Sequence, residues 1–245
     1  MYKRQAHGYL GGKSEIALKA CLTSRYPRDQ YILTDKLSTH HFNKQEEIRP
    51  LFESQLESCG VDYFDFYLMH AQSDEIYAKY KKLHVYDEAR KLKAEGKLCE
   101  GAKIGMINCF APPYTKENPS PEDLEAVRMT DGLHNRWWLD VVAHGHLPQD
   151  VLDTVENDWK VEINRRPGDE AILAQGKVDW LGFNYYQPTR VQAPDSKFDE
   201  NGLPCISKPY IWPERKMNVY RGWEIYPKGI YDLSLIHISE PTRRS

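Results

Sequence analysis

The sequence predicts an α/β fold. Segments with helical periodicity alternate with short apolar segments rich in β-branched residues, and this alternation is typical of βα units around a parallel sheet. The length of 245 residues suffices for one large domain or two small ones. Hydrophobic residues make up 40% of the chain and charged residues 28%, a balance typical of globular proteins rather than of disordered chains.

The N-terminal part of the chain contains five predicted elements. They are a helix over residues 14–23, a strand over 31–34, a helix from Asn43 to Gly60, a strand over 61–69 and a helix over 87–95. Asn43 is the expected N-cap of the second helix, because Glu46 stands three residues later at the spacing of a capping box. Gly60 and Gly96 are expected to end the second and third helices, as glycine does at many helix C-termini.

The second part has the same alternation. Its predicted elements are a strand over residues 103–107, a helix after Ser120, a helix over 148–159, a strand over 177–186 and a long polar loop over 195–219. Ser120 is the expected N-cap of its helix, with Pro121 in the first position and Asp123 in the third. The helix over residues 148–159 is expected to bury one apolar face, formed by Val151, Leu152 and Val155.

Charge, hydropathy and cysteine usage argue against several classes of function. A net charge of −3 and a pI near 6.3 give no electrostatic basis for binding nucleic acid or an anionic membrane. No apolar run approaches the ~20 residues of a membrane helix and no export signal is found, so we expect a cytoplasmic protein. The five cysteines form no C-x-x-C pair and the nine histidines lack metal-ligand spacing, so we expect reduced thiols and no metal site.

Four motifs occur together in the N-terminal part. They are YLGGKSE at residues 9–15, YPRD at 26–29, TDK at 34–36 and DFYLMH at 65–70. With these motifs, residues 6–97 resemble the aldo-keto reductases, a family of (β/α)8 barrels that use NADPH. The resemblance implies that Tyr9, Lys36 and His70 match the tyrosine, lysine and histidine of the family's catalytic tetrad, which lies at the C-terminal ends of strands.

The same resemblance implies a chemical role for each of these groups. The phenol donates a proton to the nascent alkoxide, while the ammonium and the imidazole favour its ionised form and relay the proton. The family's aspartate lies five residues before the tyrosine, and Arg4 occupies that position, so the carboxylate that would orient Lys36 is missing. The cofactor sites lie mostly on later strands of the family barrel. NADPH is therefore implied for the parent reductase, and we expect this chain not to bind it.

Five further motifs occur together in the second part. They are KIG at residues 103–105, SPED at 120–123, NRWWLD at 135–140, DWLGFNYY at 179–186 and GWEIYP at 222–227. Residues 100–232 resemble family 1 glycoside hydrolases, most of all bacterial 6-phospho-β-glucosidases and β-glucosidases. The resemblance implies a (β/α)8 barrel that needs no cofactor and hydrolyses O-glycosyl bonds of a small β-glucoside or 6-phospho-β-glucoside. Such enzymes retain the anomeric configuration with two carboxylic acids about 5 Å apart.

Both catalytic glutamates of that family are missing from the matched region. The resemblance places the acid/base in an Asn-Glu-Pro motif before the region and the nucleophile in a Glu-Asn-Gly motif after it. Glu200 stands in a Glu-Asn-Gly triplet, but this triplet precedes GWEIYP and has turn chemistry. Glu117 has the letters of the acid motif in the wrong order, within a loop. We expect neither to be catalytic.

Two residues of the second part match positions that line the family's pocket. They are Asn184 and Tyr186, and the tyrosine can hydrogen-bond the nucleophile. An alternative is that Tyr185 and Tyr186 are ordinary strand aromatics that face opposite sides. The tryptophans are expected to pack in the core rather than to stack on a sugar, namely Trp137, Trp138, Trp180 and Trp223.

The two resemblances meet near residues 96–103, and the last residues fit neither. The letters LSLIHISEPTRR resemble a translated transposase adapter used for sequencing libraries. We therefore predict a reductase-like partial barrel (1–97), a glycosidase-like partial barrel (98–232) and a non-native tail (233–245). About five strands are too few to close an eight-stranded barrel. The open functional alternatives are a β-glucosidase-type hydrolase, an NADPH-dependent oxidoreductase and a non-functional chimera.

Overall fold

The computed structural model describes residues 2–4, 6–99 and 105–238, except for the side chains of 2–4 and 235–238. The chain divides into two compact units, Met1–Lys103 and Ile104–Ser245. This division falls at the end of the tract where the two sequence resemblances meet. Part of the predicted strand over residues 103–107 and most of the predicted tail, residues 239–245, lie outside the described residues.

The first unit is built from parallel strands joined by helices. Its strands and helices are β1 (Tyr2–Arg4), α1 (Lys13–Leu18), β2 (Ile32–Leu37), α2 (Ile48–Cys59), β3 (Phe66–Met69), α3 (Asp74–Lys82) and α4 (Val85–Ala94). The strands pair in the order β1-β2-β3, and both pairings are parallel. A parallel bridge between Phe64 and Leu98 continues the same direction. The C-terminal ends of these strands therefore meet at one edge of the sheet.

Helix α2 packs on the sheet through an aromatic contact. The Phe52 ring stands edge-on to the rings of Phe64 and Tyr67, with centroids 5.6 and 4.8 Å apart. Phe52 and Phe64 are both fully buried. Their burial anchors α2 against β3. It thereby fixes the end of β2, which precedes α2, and the start of β3, which follows it.

The helix boundaries of the first unit confirm most of the sequence predictions. The predicted helix over residues 14–23 is α1 with its wider continuation Lys19–Thr23, and Gly60 ends α2 at φ +66°. The predicted cap at Asn43 is wrong, because a 3-10 turn at Gln45–Glu47 precedes α2. This turn brings Glu47, and not Glu46, back to accept hydrogen bonds from the amides of Asn43 (2.7 Å) and Lys44 (3.2 Å).

The second unit combines short strands with a series of helices. Its elements are β4 (Gly105–Cys109), β5 (Pro113–Tyr114), α5 (Pro121–Asp131), α6 (Trp137–His144), α7 (Gln149–Asp153), α8 (Asp169–Gln175), β6 (Trp180–Asn184), β7 (Thr189–Gln192), β8 (Lys208–Pro209), β9 (Met217–Asn218), β10 (Trp223–Glu224) and α9 (Lys228–Ile238). Strand β4 pairs parallel with β6, β5 pairs parallel with β7, and β8 adds antiparallel to β7. Strands β9 and β10 form an antiparallel pair. Neither unit closes a barrel within its described residues.

Burial in the second unit confirms the predicted apolar face and shows that one tryptophan was wrongly assigned to the core. Val151, Leu152 and Val155 are buried, and Trp137 packs against the cluster that contains Val151. Trp138 is 52% exposed, so its assignment to the core is wrong. Adjacent residues of a helix point in directions about 100° apart, and α6 turns only one of its two tryptophans inward.

The N-terminus of α5 has the predicted N-cap at Ser120, and Asp123 completes a capping box. The Asp123 amide donates to Ser120 Oγ (3.2 Å), and the Ser120 amide donates to Asp123 Oδ2 (2.9 Å). Asp123 also accepts from the Ala193 amide (2.9 Å) and pairs with Lys116 (2.7 Å). These donors, the Ala193 amide first, hold the pKa of Asp123 far below its usual range. The cap therefore joins the start of α5 to the segment after β7.

Replacing Ser120 by alanine should lower the free energy of unfolding of the second unit by about 1 kcal/mol, since it removes one acceptor from the first turn of α5. Ser120→Gly is the matched comparison and should cost only a few tenths of a kcal/mol, because glycine suits the N-cap backbone. Urea denaturation followed by tryptophan fluorescence measures both. No loss of stability in Ser120→Ala would contradict a capping role for the hydroxyl.

Candidate functional site

Tyr9 and Lys36 meet at the C-terminal edge of the first unit's sheet. Lys36 lies on β2 and is only 4% exposed, whereas Tyr9 opens the turn after β1 and is 42% exposed. Lys36 Nζ donates a hydrogen bond to Tyr9 Oη at 2.5 Å and lies 4.4 Å from the centroid of the phenol ring. The buried amine is thus covered by a partly exposed phenol.

His70 follows β3 directly and belongs to the same edge. Its amide donates to the carbonyl of Leu37 (3.0 Å), which extends the pairing of β2 and β3. Its ring Nδ1 lies 2.6 Å from Ser38 Oγ, and Ser38 is the residue that follows β2. We call Tyr9, Lys36, Ser38 and His70 the phenol–amine cluster. The structure joins Tyr9 to Lys36 directly and places His70 on the adjacent strand end, held by Ser38.

Behind this cluster lies a buried pair of carboxyl groups that the sequence analysis did not single out. Glu15 and Asp35 are both fully buried. Glu15 is 3.0 Å from His7 Nδ1, while Asp35 accepts from the Lys36 amide at 2.8 Å. Burial, and then the charge of Glu15, raises the pKa of Asp35 to about 8. Their positions in the motifs at 9–15 and 34–36 were the available signal, but a motif gives no information on which helix covers which strand.

Asn184 and Tyr186 lie at the C-terminal end of β6 in the second unit. Asn184 Nδ2 is 3.6 Å from the sulfur of Cys109, which ends the neighbouring strand β4. Tyr186 is 52% exposed, and its ring lies 5.1 Å from the ring of Trp223 at an angle of 43°. The paired rings form an accessible aromatic surface at this strand end, so Trp223 contributes a face to the site.

Tyr185 points the other way, as alternation along a strand requires. Its hydroxyl donates to the carbonyl of Tyr226 (2.6 Å), and its ring packs on the cluster that contains Phe110 and Leu139. Burial raises the pKa of Tyr185 to about 12. The alternative that both tyrosines are ordinary strand aromatics therefore applies to Tyr185, whereas Tyr186 faces outward beside Trp223.

A buried ion pair involves the strand that carries Trp223, one of the two rings of the aromatic surface. Arg190 on β7 donates to Glu224 on β10 at 2.6 Å, and their side chains are 11% and 7% exposed. The guanidinium lies 5.1, 4.6 and 4.6 Å from the ring centroids of Tyr114, Trp212 and Tyr226. Glu224 follows Trp223 directly, so this pair fixes the strand that carries the second ring.

The two glutamates that mimic catalytic motifs lie in surface segments. Glu200 is exposed in a turn where Asp199 Oδ1 accepts from the amides of Asn201 and Leu203, each at 2.8 Å, and Gly202 has φ +76°. Glu117 is exposed in the segment before α5. The turn chemistry expected at residues 199–202 is confirmed.

A cavity of about 490 Å³ in the second unit is lined by neither Asn184 nor Tyr186. Its lining is formed by Pro112, Pro113, Tyr114, Val127, Arg128, Asp131, Arg136, Asp150 and Asp232. Asp150 bridges Arg128 (2.5 Å) and Arg136 (2.8 Å). Glu125 also pairs with Arg128 (2.6 Å) and Asp131 with Arg136 (3.2 Å), so both guanidiniums have carboxylate partners. Within the described residues no group of three or more His, Cys, Asp or Glu side chains is arranged to hold a metal, and no helix is long and apolar enough to cross a membrane.

Solved structures resemble this α/β architecture. A β-glucosidase from Exiguobacterium marinum aligns with a TM-score of 0.52 and 18% identity, over 98% of this chain and 62% of that one. A GH1 β-glucosidase from Exiguobacterium antarcticum B7 aligns with a TM-score of 0.51 and 18% identity, over 94% and 56%. Similarity at this level shows the fold alone, namely a part of the TIM-barrel fold of glycosidases.

The sequence comparisons show the family. The model of "Glycosyl hydrolase family 1" matches residues 51–240, and the chain belongs to this family. The 6-phospho-beta-glucosidase GmuD of Bacillus subtilis is 38% identical over 160 residues, which cover 62% of this chain and 33% of that protein. Beta-glucosidase A of Enterobacter agglomerans is 32% identical over 120 residues, covering 49% and 24%. The chain thus spans about a third or less of the length of these relatives.

The family match bears on the two resemblances differently. It confirms the glycosidase resemblance of the second part. It begins at residue 51 and so also includes residues that we assigned to the reductase-like part. None of these comparisons supports a reductase fragment or a chimera, and both stay predictions that depend on the motifs and the phenol–amine cluster.

Proposed function

We propose that the protein belongs to the metabolism of β-glucosides or 6-phospho-β-glucosides, as a retaining glycosidase that needs no cofactor. The family match over residues 51–240 carries this proposal. The names of the relatives support the substrate class, since they are a 6-phospho-β-glucosidase and a β-glucosidase. Asn184 and Tyr186 at the end of β6, beside Trp223, supply polar atoms and an aromatic face for a sugar.

We further propose that these 245 residues do not hydrolyse glycosides by themselves. The retaining mechanism needs two carboxylic acids about 5 Å apart. The chain contains no Asn-Glu-Pro motif, and Glu200 in its Glu-Asn-Gly triplet lies in an exposed turn. The tyrosine that would hold a nucleophile is present as Tyr186, whereas the expected nucleophile is not.

The test is release of p-nitrophenol from the β-glucoside and the 6-phospho-β-glucoside by the purified chain. We expect no turnover above the buffer rate. The matched variants Glu200→Gln and Glu117→Gln should be equally inactive. Turnover that Glu200→Gln abolishes would overturn the assignment of that residue to a structural turn.

A reductase origin for the first unit is the second candidate, and the hydrogen bond between Lys36 and Tyr9 favours it. A phenol, an amine and an imidazole at adjacent strand ends can relay a proton to a reduced carbonyl oxygen. Arg4 stands where the carboxylate partner of the lysine is expected, so we predict no carbonyl-dependent oxidation of NADPH. NADPH oxidation that Tyr9→Phe removes would contradict this and show a working reductase site. Failure of both assays is the result expected of a non-enzymatic chimera.

A further inference from the structure

We propose that Lys36 is a nucleophilic amine that forms an imine with small aldehydes, and that Tyr9 acts as the general acid in this reaction. The proposal goes beyond the reductase candidate, because it needs neither NADPH nor hydride transfer. It depends on the contact of Lys36 with Tyr9 and on the burial of Lys36. Among the described residues, it also depends on the absence of an ion pair between Lys36 and a carboxylate.

The amine of Lys36 differs from an ordinary surface lysine in its partners. Its hydrogen bond goes to a phenol, and within residues 6–99 and 105–238 no ion pair joins it to a carboxylate. The neighbouring Asp35 is occupied by the backbone amide of Lys36 rather than by its side chain. The burial of Lys36 matches the desolvated sites in which Schiff-base lysines are found in proteins.

Burial restricts the aldehydes that can react. Lys36 is 4% exposed and lies beneath the ring of Tyr9, which is 42% exposed. An aldehyde must therefore enter beside or beneath the phenol, so only small molecules are accommodated. Charged aldehydes are disfavoured, since burying an unpaired charge is costly. Ser38 and His70 are hydrogen-bonded to each other at 2.6 Å on the adjacent strand ends.

The geometry supplies a proton donor for each step. The lone pair of Lys36 Nζ forms the C–N bond, the carbonyl π electrons move to oxygen, and this oxygen takes up a proton while the nitrogen loses one. The carbinolamine then expels water as the C=N bond forms. The balance is amine plus aldehyde giving imine plus water. Tyr9 Oη, 2.5 Å from Nζ, lies within reach of both the nitrogen and the departing oxygen.

The experiment is reductive trapping on the full chain in the absence of NADPH. The protein is incubated with propionaldehyde and sodium cyanoborohydride, which reduces the imine to a stable secondary amine, and peptide mass spectrometry then quantifies propylation at each lysine. We expect Lys36 to be modified about tenfold faster than the exposed Lys13, as general acid catalysis by Tyr9 predicts. Equal or slower modification of Lys36 would overturn the proposal.

Variants separate proton transfer from simple access. Tyr9→Phe keeps a ring over the amine and removes the hydroxyl, so we expect modification of Lys36 to slow about tenfold. Tyr26→Phe is the matched control, since Tyr26 is exposed to a similar degree, 47%, and should leave the rate unchanged. A Tyr9→Phe rate equal to that of the parent would overturn the role of Tyr9. The unmodified chain already gives the comparison of Lys36 with Lys13, so the test does not depend on the folding of any variant.

Discussion

Replacing Arg190 by methionine should lower the free energy of unfolding of the second unit by about 3–5 kcal/mol, because it leaves Glu224 buried without its partner. The Arg190 guanidinium donates to Glu224 at 2.6 Å, and the two side chains are 11% and 7% exposed. Methionine keeps much of the volume within the surrounding aromatic rings. The loss therefore reports the uncompensated carboxylate rather than a cavity. Urea denaturation followed by tryptophan fluorescence measures it, with Trp212 4.6 Å from the guanidinium.

Two further variants sharpen this experiment. The double variant Arg190→Met with Glu224→Gln removes both charges and should recover a large part of the loss, since no ionised group is left buried. Lys208→Met is the matched control, because Lys208 on β8 pairs with Asp195 while their side chains are 38% and 84% exposed. Screening by water limits such a pair to less than about 1 kcal/mol. Equal small losses for Arg190→Met and Lys208→Met would contradict a structural role for the buried pair.

The sequence predicted local features better than partnerships across the chain. The capping box of Ser120 and Asp123 was predictable, because it depends on residues three apart and on one backbone geometry. The ion pair of Arg190 and Glu224 was not, because 34 residues separate its members and they lie on strands of two different sheets. The missed cap at Glu47 is a local exception: a 3-10 turn at Gln45–Glu47 precedes α2, and hydrophobic periodicity does not indicate such a turn.

The phenol–amine cluster could be predicted from the sequence, whereas the carboxyl pair behind it could not. Parallel strands place their C-terminal ends at one edge, so motifs that end successive strands predict neighbouring Tyr9, Lys36 and His70. The contact of Tyr9 with Lys36 agrees with that expectation. The carboxyl pair of Glu15 and Asp35 escaped prediction, since the opposite face of β2 meets α1 in a way that only the packed structure shows.

That carboxyl pair gives the first unit a pH-dependent stability. We expect its free energy of unfolding to fall as the pH rises from about 4 to about 8. Asp35 has a pKa of about 8 in the folded protein, because burial and the charge of Glu15 disfavour its ionised form. An aspartate in the unfolded chain loses its proton near pH ~3.9. Between these values the folded state holds one proton more, so stability decreases by up to about 1.4 kcal/mol per pH unit.

The groups around Asp35 leave this sign unchanged. Glu15 approaches from α1, and its charge raises the pKa of Asp35. Cys59 approaches from α2, and its thiol donates to Asp35 Oδ2 across 3.8 Å. The charge of Lys36 and the hydrogen bond from its amide lower this pKa, but less than burial raises it. The protonated carboxyl of Asp35 is therefore the predominant form in the folded state throughout the neutral pH range.

Replacing Asp35 by asparagine should flatten this pH profile. The amide has nearly the shape of the protonated carboxyl and does not ionise, so Asp35→Asn should be more stable than the parent by ~3–4 kcal/mol near pH 8 and about equal to it near pH 5. Asp62→Asn, at an exposed position, is the control and should leave the slope of the parent unchanged. Urea denaturation across this pH range gives both slopes. An Asp35→Asn variant with the same slope as the parent would contradict the raised pKa of Asp35, because the difference between the two slopes isolates the titration of this carboxyl.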